Sequence, residues 1–414
     1  MTKRVLFLSN GHGEDLNATL IVRALHAIDP SVDVAAMPIV GTGDAYRKLA
    51  VPIIGPTQQL PSGGFNYINV VRLFNPVNWW RDTNPVSLIR DLFSGLIGLT
   101  WRQIQAVRRY GRTCDLLFAT GDIVPILFAY VTRRPFIAFL VSTSSYYEGR
   151  VKLPWLAQMG LRSRRCCAVL TRDAFTAKDL LRRGFPHARY AGYPIMDVLT
   201  PTGADLNLDP TRPMIALLPG SRLPEAQQNL GLMLQLCEAI TARCAAQFHV
   251  ALVPSFAPQH LQALAIAQGW HMPTGDRLCR GDTTVHLHYN AFADILHQCT
   301  AVVGMAGTAV EQAVGLGKPV VQIPGPGPQF TYLFAEAQMR LLGPSVTTIG
   351  CRPATPAILQ KAAQHLCQIL GDRDYQAQCV LNGQERVGLP GGSTAIAQTL
   401  IDTLKHLSGD DSRS

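Results

Sequence analysis

Short apolar runs alternate with segments of helical spacing in the N-terminal half of the chain. The apolar run at 4–9 ends in a glycine-rich turn, and at 17–28 the apolar residues are spaced as on one face of a helix. Strand-like runs recur at 115–120, 135–141 and 167–173. They are apolar throughout, which is typical of parallel strands buried on both faces. We therefore predict an α/β domain with a doubly wound parallel sheet.

The same alternation returns after residues 200–213, a polar, proline-rich stretch without periodicity that we interpret as a linker. The second series of strand-like runs lies at 214–220, 248–254, 284–289, 301–307 and 318–325. A chain of 414 residues is also too long for one compact core. We predict two Rossmann-like domains, 1–199 and 214–392, facing a central cleft. We expect a last helix, 393–410, to pack back on the first domain.

One segment departs from this alternation. Residues 88–109 have a broad apolar helical face with arginines toward the ends, and Trp79 and Trp80 lie just upstream in 63–80. A basic amphipathic segment with aromatic residues suits the edge of an anionic bilayer or a lipid tail. A core helix packed on the sheet is the alternative. We predict that 63–109 faces a membrane or lipid and leave the core helix open.

Charge and hydropathy restrict the class of partner. The chain has 37 Lys and Arg against 28 Asp and Glu, a net charge of +9, which favours anionic partners. The basic residues occur in short groups without interleaved aromatics, which argues against nucleic acid. We find no run of about 18 apolar residues that would span a membrane, and residues 1–13 resemble a first strand, not a signal peptide. We expect a cytoplasmic protein at the periphery of a membrane.

Cysteines and histidines give no metal signature. Ten cysteines are scattered, with one adjacent pair, Cys166 and Cys167, and no C-x-x-C. This pattern predicts reduced thiols, with neither a disulfide framework nor a zinc site. His286 and His288 alternate as strand residues do and have no second pair of ligands nearby, so we predict no metal there.

The stretch 216–230, ALLPGSRLPEAQQNL, carries the first candidate binding motif. An apolar run stops at a turn through Gly220 and Ser221, presents Arg222, and continues into a helix with Glu225 in its first turn. Backbone N–H groups and the positive end of the helix dipole favour phosphate in such a place, and an arginine adds a bidentate contact. An ordinary turn, with Glu225 only complementing the dipole, is the alternative.

A second strand–turn–helix–strand stretch follows at 304–325. Thr308 and Glu311 have the spacing of a capping box, which is the structural interpretation. Alternatively, Glu311 accepts hydrogen bonds from the two hydroxyls of a ribose, while Gly307 lets a diphosphate approach the backbone. We predict that both stretches hold one nucleotide and include Met305, at the start of this turn, in the donor site.

The loop after the first strand, 9–18, resembles a dinucleotide fingerprint only in part. It has Gly11 and Gly13, but Leu16 stands where the third glycine is needed, which argues against a dehydrogenase. These two glycines, with Glu14 and Asn17, are candidate ligand contacts of the first loop.

Two residues at strand ends are candidates for a general base. His12 lies in the first loop, and Asp122 follows the strand-like run at 115–120. Each has a structural alternative, a loop histidine and a helix cap respectively.

Three motifs together resemble those of lipid-A-disaccharide synthase. AGYPIMD at 191–197, LLPGSRLPE at 217–225 and GMAGTAVEQAVGLGKPVV at 304–321 occur in the order and spacing of that family's V-G-H-P-x-x-D, L-L-P-G-S-R-x-x-E and S-G-T-A-x-L-E. The likeness is densest from 190 to 330, and lipid-A-disaccharide synthase-related homologues look closer still.

The resemblance implies a GT-B glycosyltransferase that holds a UDP-sugar mainly in its C-terminal half. Arg222 matches the arginine that contacts UDP, Glu311 a conserved glutamate and Asp122 an essential aspartate of the family. The implied reaction is inverting. A base takes the proton of the acceptor hydroxyl, while helix dipoles and arginine stabilise the UDP leaving group, so neither a metal nor a cofactor beyond the UDP-sugar is expected.

This sequence departs from the family at three places. Residues 9–15, SNGHGED, stand where the family has roughly A-G-E-x-S-G-D, Tyr193 replaces a histidine, and PGPGPQFTY at 324–332 differs. In and after the last segment, Gln329 and Gln338 are further candidate donor contacts. The resemblance favours a sugar of the GlcNAc type and implies that Gly11, Gly13, Glu14 and Asn17 lie on the acceptor side. The three departures leave the sugar and the lipid or lipid-linked acceptor open. The rival functions are a UDP-sugar 2-epimerase and a non-catalytic nucleotide-sugar-binding protein.

Overall fold

The computed structural model describes residues 2–58, 96–327 and 330–410. The chain divides into two compact units. Unit 1 comprises Met1–Asp197 together with Pro390–Ser414, and unit 2 comprises Val198–Leu389. The predicted linker 200–213 is part of unit 2 by this division.

Unit 1 is built on a six-stranded parallel sheet with the strand order β2-β1-β3-β4-β5-β6. The strands are β1 (Arg4–Ser9), β2 (Asp33–Pro38), β3 (Leu116–Thr120), β4 (Phe136–Leu140), β5 (Cys166–Thr171) and β6 (Ala188–Tyr190). Every residue of β3 and β4 is buried, because helices cover both faces of a parallel sheet. The uniformly apolar runs therefore predicted these central strands correctly.

In the described part of unit 1, seven helices accompany the sheet. They are α1 (His12–Ile28), α2 (Asp44–Lys48), α3 (Leu96–Gly111), α4 (Ile123–Val131), α5 (Trp155–Leu161), α6 (Ala174–Arg182) and α14 (Gly392–Asp410). Helices α3, α4 and α5 pack side by side and share one apolar core with the sheet. The chain-terminal helix α14 packs along α1. Asp197 anchors its start, because its two carboxylate oxygens accept hydrogen bonds from the backbone N–H groups of Gly391 and Ser393 at 2.5 and 2.7 Å.

Unit 2 contains a seven-stranded sheet with the order β13-β12-β11-β7-β8-β10-β9, in which only the edge strand β9 is antiparallel. The strands are β7 (Met214–Leu218), β8 (Gln247–Leu252), β9 (Arg277–Arg280), β10 (Thr283–Tyr289), β11 (Ala301–Gly304), β12 (Val320–Gln322) and β13 (Val346–Thr348). The helices are α7 (Glu225–Thr241), α8 (Pro258–Gln268), α9 (Phe292–Gln298), α10 (Thr308–Gly315), α11 (Tyr332–Leu342), α12 (Pro356–Gly371) and α13 (Arg373–Arg386). All five predicted apolar runs of this half form strands.

The prediction that all cysteines are free thiols is wrong for one pair. Cys244 and Cys367 form a disulfide with a Cα–Cα distance of 6.0 Å, and the other eight cysteines are free. The two partners are 123 residues apart in sequence and become neighbours because α7 packs against α12. No local sequence pattern records such a pairing.

The predicted amphipathic segment 63–109 lies only partly within the described residues. Its part from 96 onward forms α3, whose buried side includes Leu99 and Val107. Residues 63–95 lie outside the described residues. Within the described ranges, no helix combines the length and apolar character needed to cross a membrane.

Candidate functional site

In unit 1, the loops after β1, β3 and β4 meet at the carboxyl edge of the sheet. Ligands of open α/β sheets bind at this edge, where strand ends and helix starts converge. Gly121 allows the loops to approach each other, since an added Cβ would lie 3.2 Å from the Asn10 Cβ and 3.4 Å from the Glu14 Cγ. Its φ of +135° is also a conformation that favours glycine.

Asp122 is the N-cap of α4 and is fixed in place by two donors. Its Oδ1 accepts hydrogen bonds from the backbone N–H of Val124 at 3.1 Å and from the Asn10 amide at 2.9 Å. The structural interpretation, a helix cap, is therefore confirmed; Asp122 is also half-buried at the carboxyl edge of the sheet, and its role as a base stays a prediction. Asn10, which sequence reasoning did not single out, is the residue that links the first loop to Asp122.

Glu14 and Ser142 join the first loop to the end of β4. The Ser142 hydroxyl donates to Glu14 Oε1. Gly11 leaves room for this carboxylate, because a Cβ there would lie 2.9 Å from Glu14 Oε2. Glu14 is thus held at the same edge as Asp122, as an acceptor-side residue would be.

The other predicted residues of the first loop have different environments. His12 is exposed at the start of α1, and its ring lies against Gly41, where an added Cβ would be 3.3 Å from His12 Cε1. Gly13 is exposed, with nothing near a hypothetical Cβ. Asn17 is buried and its amide donates to the Gly13 carbonyl at 2.8 Å, so it orders the first turn of α1.

A buried polar cluster lies directly beneath this loop. The Ser9 hydroxyl donates to Asp15 Oδ1 at 2.5 Å and lies 2.8 Å from the Tyr46 hydroxyl oxygen. Asp15 is only 2% exposed, and burial raises its pKa from 3.8 to about 7, although the Ser9 hydrogen bond opposes the rise. An aspartate in the first turn of a helix suggests a dipole contact, so the buried role of Asp15 was not visible in the sequence.

Several polar atoms around this edge have no hydrogen-bond partner among the described residues. They are Asn10 Oδ1, Thr120 Oγ1 and Thr143 Oγ1. A buried polar atom without a partner costs roughly 1–3 kcal/mol. Water or a hydroxyl-bearing ligand at the edge would satisfy them.

In unit 2, the two predicted glycine turns are neighbours, because β7 and β11 pair in parallel. The backbone N–H of Met305 donates to the Leu218 carbonyl at 2.9 Å. A Cβ on Gly220 would lie 3.3 Å from the Met305 carbonyl oxygen, and the φ of Gly220 is +102°. The structure therefore brings the turns after β7 and β11 together, with Met305 contributing its backbone while its side chain is buried.

The residues after Gly220 divide into exposed and buried groups. Ser221 and Arg222 are exposed. Glu225 is 7% exposed, and its Oε1 accepts a hydrogen bond from the backbone N–H of Phe330 at 2.7 Å. Gly327 fits closely over this carboxylate, since a Cβ there would lie 2.5 Å from it. Glu225 therefore contacts both Gly327 and Phe330, a role that its place in the helix pattern did not indicate.

Helix α10 begins at the second turn without the predicted capping box. Gly307 is the N-cap residue and Thr308 is the first helical residue, so the predicted pairing of Thr308 as cap with Glu311 three residues later does not form. Gly307, Thr308 and Glu311 are all half-buried. Glycine has no side chain with which to cap the helix, and the Gly307 carbonyl accepts hydrogen bonds from the backbone N–H groups of Val310 and Glu311 at 3.1 and 3.4 Å. The start of such a helix favours an anion.

Gln338 supports this turn from behind. Its Nε2 donates to the Gly307 carbonyl at 3.0 Å, and its Oε1 accepts from Gln322 at 2.6 Å. Gln338 is only 4% exposed, so the structure gives it a positioning role where sequence reasoning had considered a donor contact. Gln329, the other glutamine considered, lies outside the described residues.

Three histidines stack on one face of the unit 2 sheet. His249 Nδ1 lies 2.9 Å from His288 Nε2, and the His249 and His286 rings stack at 4.8 Å. Burial and the two neighbouring imidazoles lower the pKa of His249 to about 3. Across the described residues, no group of three or more His, Cys, Asp or Glu side chains is arranged to hold a metal ion.

Two curated proteins resemble this chain in sequence. The lipid-A-disaccharide synthase of Syntrophotalea carbinolica is 24% identical over 280 residues, covering 62% of this chain and 67% of that protein. The enzyme of the same name from Pseudomonas syringae pv. syringae is 30% identical over 175 residues, covering 40% and 42%. The second alignment thus spans under half of that relative. No family model matches the chain.

Solved structures resemble the whole chain in fold. The glycosyltransferase SnogD from Streptomyces nogalater has a TM-score of 0.53 at 17% identity, covering 98% of this chain and 100% of that one. The spinosyn rhamnosyltransferase SpnG with thymidine diphosphate gives 0.59 at 13%, covering 96% and 99%. The UDP-GlcNAc 2-epimerase of Neisseria meningitidis with UDP-GlcNAc gives 0.52 at 14%, covering 96% and 100%.

The chain therefore has the GT-B fold, an α/β architecture with two parallel-sheet domains. Within proteins of that fold, it is related in sequence to lipid-A-disaccharide synthases. Both statements confirm what the three motifs predicted.

Proposed function

We propose that this protein is a glycosyltransferase that moves a sugar from a UDP-sugar to a lipid or lipid-linked acceptor at a membrane surface. One observation carries the proposal: the turns after β7 and β11 adjoin, Gly220 lies against Met305, and α10 begins at Gly307 without a side-chain cap. Backbone N–H groups at such turns bind the phosphates of a nucleotide.

Arg222 supplies the charge that the backbone lacks. It is exposed immediately after the Gly220 turn, where a guanidinium can form a bidentate hydrogen-bonded pair with a phosphate. Glu311, in the first turn of α10, accepts the ribose hydroxyls in this proposal. Negative charge develops on the diphosphate as the bond to the sugar breaks. In this proposal Arg222 and the backbone N–H groups stabilise that charge, so no metal is required.

Asp122 is the proposed base for the acceptor hydroxyl. Two hydrogen bonds to Oδ1 fix its orientation, whereas His12 lies exposed at the start of α1. A positioned carboxylate that takes the proton while UDP leaves from the opposite face of the sugar inverts the anomeric centre. His12 is the second candidate for the base.

The fold alone does not distinguish transfer from epimerisation, since SnogD and the N. meningitidis epimerase match with nearly equal TM-scores. The sequence relationship to lipid-A-disaccharide synthases favours transfer. Incubation with UDP-GlcNAc and no acceptor separates the two. Appearance of an epimer would support the epimerase, and intact UDP-GlcNAc that is consumed only on addition of extracted lipid supports the transferase.

Calorimetric titration with UDP tests the donor site. Arg222→Ala should weaken UDP binding at least tenfold, since a hydrogen bond to a charged group contributes about 1.5–3 kcal/mol. Arg243→Ala is the control and should bind UDP as the wild type does. Arg243 is an exposed arginine of unit 2 just after α7, and its side chain donates to the Ala239 carbonyl. Unchanged affinity in Arg222→Ala would refute the assignment.

Turnover of Asp122→Asn tests the base. Asparagine keeps the N-cap of α4, so the fold should persist. The variant should bind UDP normally and lose at least a hundredfold in kcat, as expected for loss of a general base. Normal turnover in Asp122→Asn, with loss in His12→Ala, would move the role to His12. Binding of UDP without turnover of any lipid acceptor by the wild type would favour a nucleotide-sugar-binding protein.

A further inference from the structure

Nearly all of the excess positive charge of this chain lies in one stretch of unit 1. Residues 96–165 contain eleven Lys and Arg and three Asp and Glu, a net +8 of the +9 carried by the whole chain. Helices α3, α4 and α5, all within this stretch, contain no acidic residue. The three acidic residues nearby are already engaged: Asp115 accepts from the Arg4 N–H, Asp122 caps α4 and Glu148 pairs with Lys152.

Large apolar side chains point outward from two of these helices. Trp101 on α3 is 61% exposed, and on α5 Trp155 and Met159 are 65% and 42% exposed. Exposed arginines follow them at helical spacing, Arg108 seven residues after Trp101 and Arg162 seven residues after Trp155. Residues seven apart lie on the same side of a helix, so Trp101 and Arg108 form one outward stripe on α3, and Trp155 with Arg162, the residue that follows α5, forms a second. The Arg162 guanidinium also lies over the Phe185 ring and donates to the Arg183 carbonyl at 3.2 Å.

The two stripes belong to one surface. Helices α3 and α5 flank α4 and share its core, so their outward sides face away from the same side of the sheet. Both lead into parallel strands, β3 and β5, and therefore run in similar directions. We call this the α3–α5 surface, defined by Trp101, Arg108, Arg109, Trp155, Met159 and Arg162.

We propose that the α3–α5 surface binds the headgroup region of an anionic phospholipid bilayer. Tryptophan is enriched at membrane interfaces, where its ring enters the headgroup layer, while arginine side chains meet lipid phosphates at the same depth. Single-stranded nucleic acid would instead need aromatic rings in a groove along which bases stack, and here the two tryptophans are exposed on the outer side of a helical layer. The bilayer would be a partner of the lipid glycosyltransferase proposed above, on which this inference rests.

The position of the surface relates it to the candidate acceptor site. Asp122 caps α4, the middle helix of the layer, and lies at the carboxyl edge of β3. Trp155 begins α5, which follows the carboxyl end of the adjacent β4. Docking through this layer brings the edge that holds Asp122 close to lipid headgroups.

Sedimentation with vesicles tests the surface in the full-length protein without any sugar donor. The protein should bind phosphatidylcholine vesicles containing 30% phosphatidylglycerol, bind pure phosphatidylcholine weakly, and be released by 0.5 M NaCl. Each basic residue near an anionic surface contributes about fivefold to partitioning, so Arg108→Gln/Arg109→Gln should weaken binding about 25-fold. Trp101→Ser/Trp155→Ser should weaken it at least tenfold on the same vesicles.

Matched variants elsewhere keep the test specific. Arg243→Gln/Arg352→Gln removes two exposed arginines of unit 2, and Ile266→Ser/Leu381→Ser removes two apolar side chains that are 78% and 68% exposed. Both should bind vesicles as the wild type does. The proposal would be overturned if the α3–α5 variants bound vesicles as well as the wild type, or if the control variants lost as much binding. It would also be overturned if Arg108→Gln/Arg109→Gln lost binding to an RNA oligonucleotide while its vesicle binding stayed intact.

Failure of this proposal is separate from failure of the proposed function. The α3–α5 variants should bind UDP in calorimetry with wild-type affinity, because the proposed UDP site is formed by residues of unit 2. A protein that binds vesicles through this surface without UDP affinity would refute only the transferase assignment.

Discussion

Replacing Asp15 with asparagine should remove a pH-dependent destabilisation of unit 1. Asp15 is buried against the Ser9 hydroxyl, and burial raises its pKa to about 7 from an ordinary value of 3.8. Between these two values the folded state binds the proton and the unfolded state does not. Linkage then requires the stability of the folded protein to fall as the pH rises from about 4 to 7, and to level off above.

The size of the effect follows from the two pKa values. The full displacement of about three pKa units corresponds to about 4 kcal/mol in the free energy of unfolding. Between pH 5.0 and 7.5 the wild type should lose about 2.5 kcal/mol through this carboxyl group. Asparagine is uncharged and keeps an oxygen that accepts the Ser9 hydrogen bond, so the variant should not show this loss.

Urea unfolding at pH 5.0 and 7.5, monitored by hydrogen exchange of peptides from β1 and β3, measures the free energy of unfolding of unit 1 separately from that of unit 2. The stability of Asp15→Asn relative to the wild type should rise by about 2.5 kcal/mol between the two pH values. Asp29→Asn is the control, because the Ser31 hydrogen bonds lower the pKa of Asp29 and its loss should not stabilise the protein at pH 7.5. A difference between Asp15→Asn and wild type that does not depend on pH would refute a protonated, buried Asp15.

Three further predictions concern unit 2. The free energy of unfolding of unit 2 should decrease as the pH drops below 6.5, because histidine in the unfolded chain then binds a proton, whereas folded His249 does so only near its pKa of about 3. In urea unfolding, His249→Asn should abolish up to about 2 kcal/mol of the loss between pH 7.5 and 5.0. Gly220→Ala should weaken UDP binding in calorimetry, since its φ of +102° and the nearby Met305 carbonyl disfavour a side chain, whereas Gly371→Ala, with open space around it, should not. Gln338→Ala should lower UDP affinity several-fold by releasing the Gly307 carbonyl, and unchanged affinity would show that this support is dispensable.

The fold class and the positions of the strands that carry the site can be inferred from the amino-acid sequence alone. Fully buried parallel strands must be apolar along their whole length, so β1, β3, β4, β7 and β11 are visible as short runs, and all of these except β4 lead into a turn that contains glycine. Gly220 marks one of these turns because its φ of +102° and the Met305 carbonyl 3.3 Å from a hypothetical Cβ favour glycine, whereas the φ of Gly307 is −81°. The motifs around them also carried the relationship to lipid-A-disaccharide synthases.

Which side chains meet, in contrast, depends on how the helices and strands pack. Glu14, Asp15 and Glu225 all lie in the first turn of a helix. Glu14 accepts a hydrogen bond from Ser142, Asp15 is buried beneath the loop, and Glu225 accepts from the backbone N–H of Phe330, 105 residues away. The Cys244–Cys367 disulfide depends likewise on the packing of α7 against α12. Local spacing records the periodicity of one element, whereas burial and partners are set by residues far along the chain, and these fix the pKa and the role of each group.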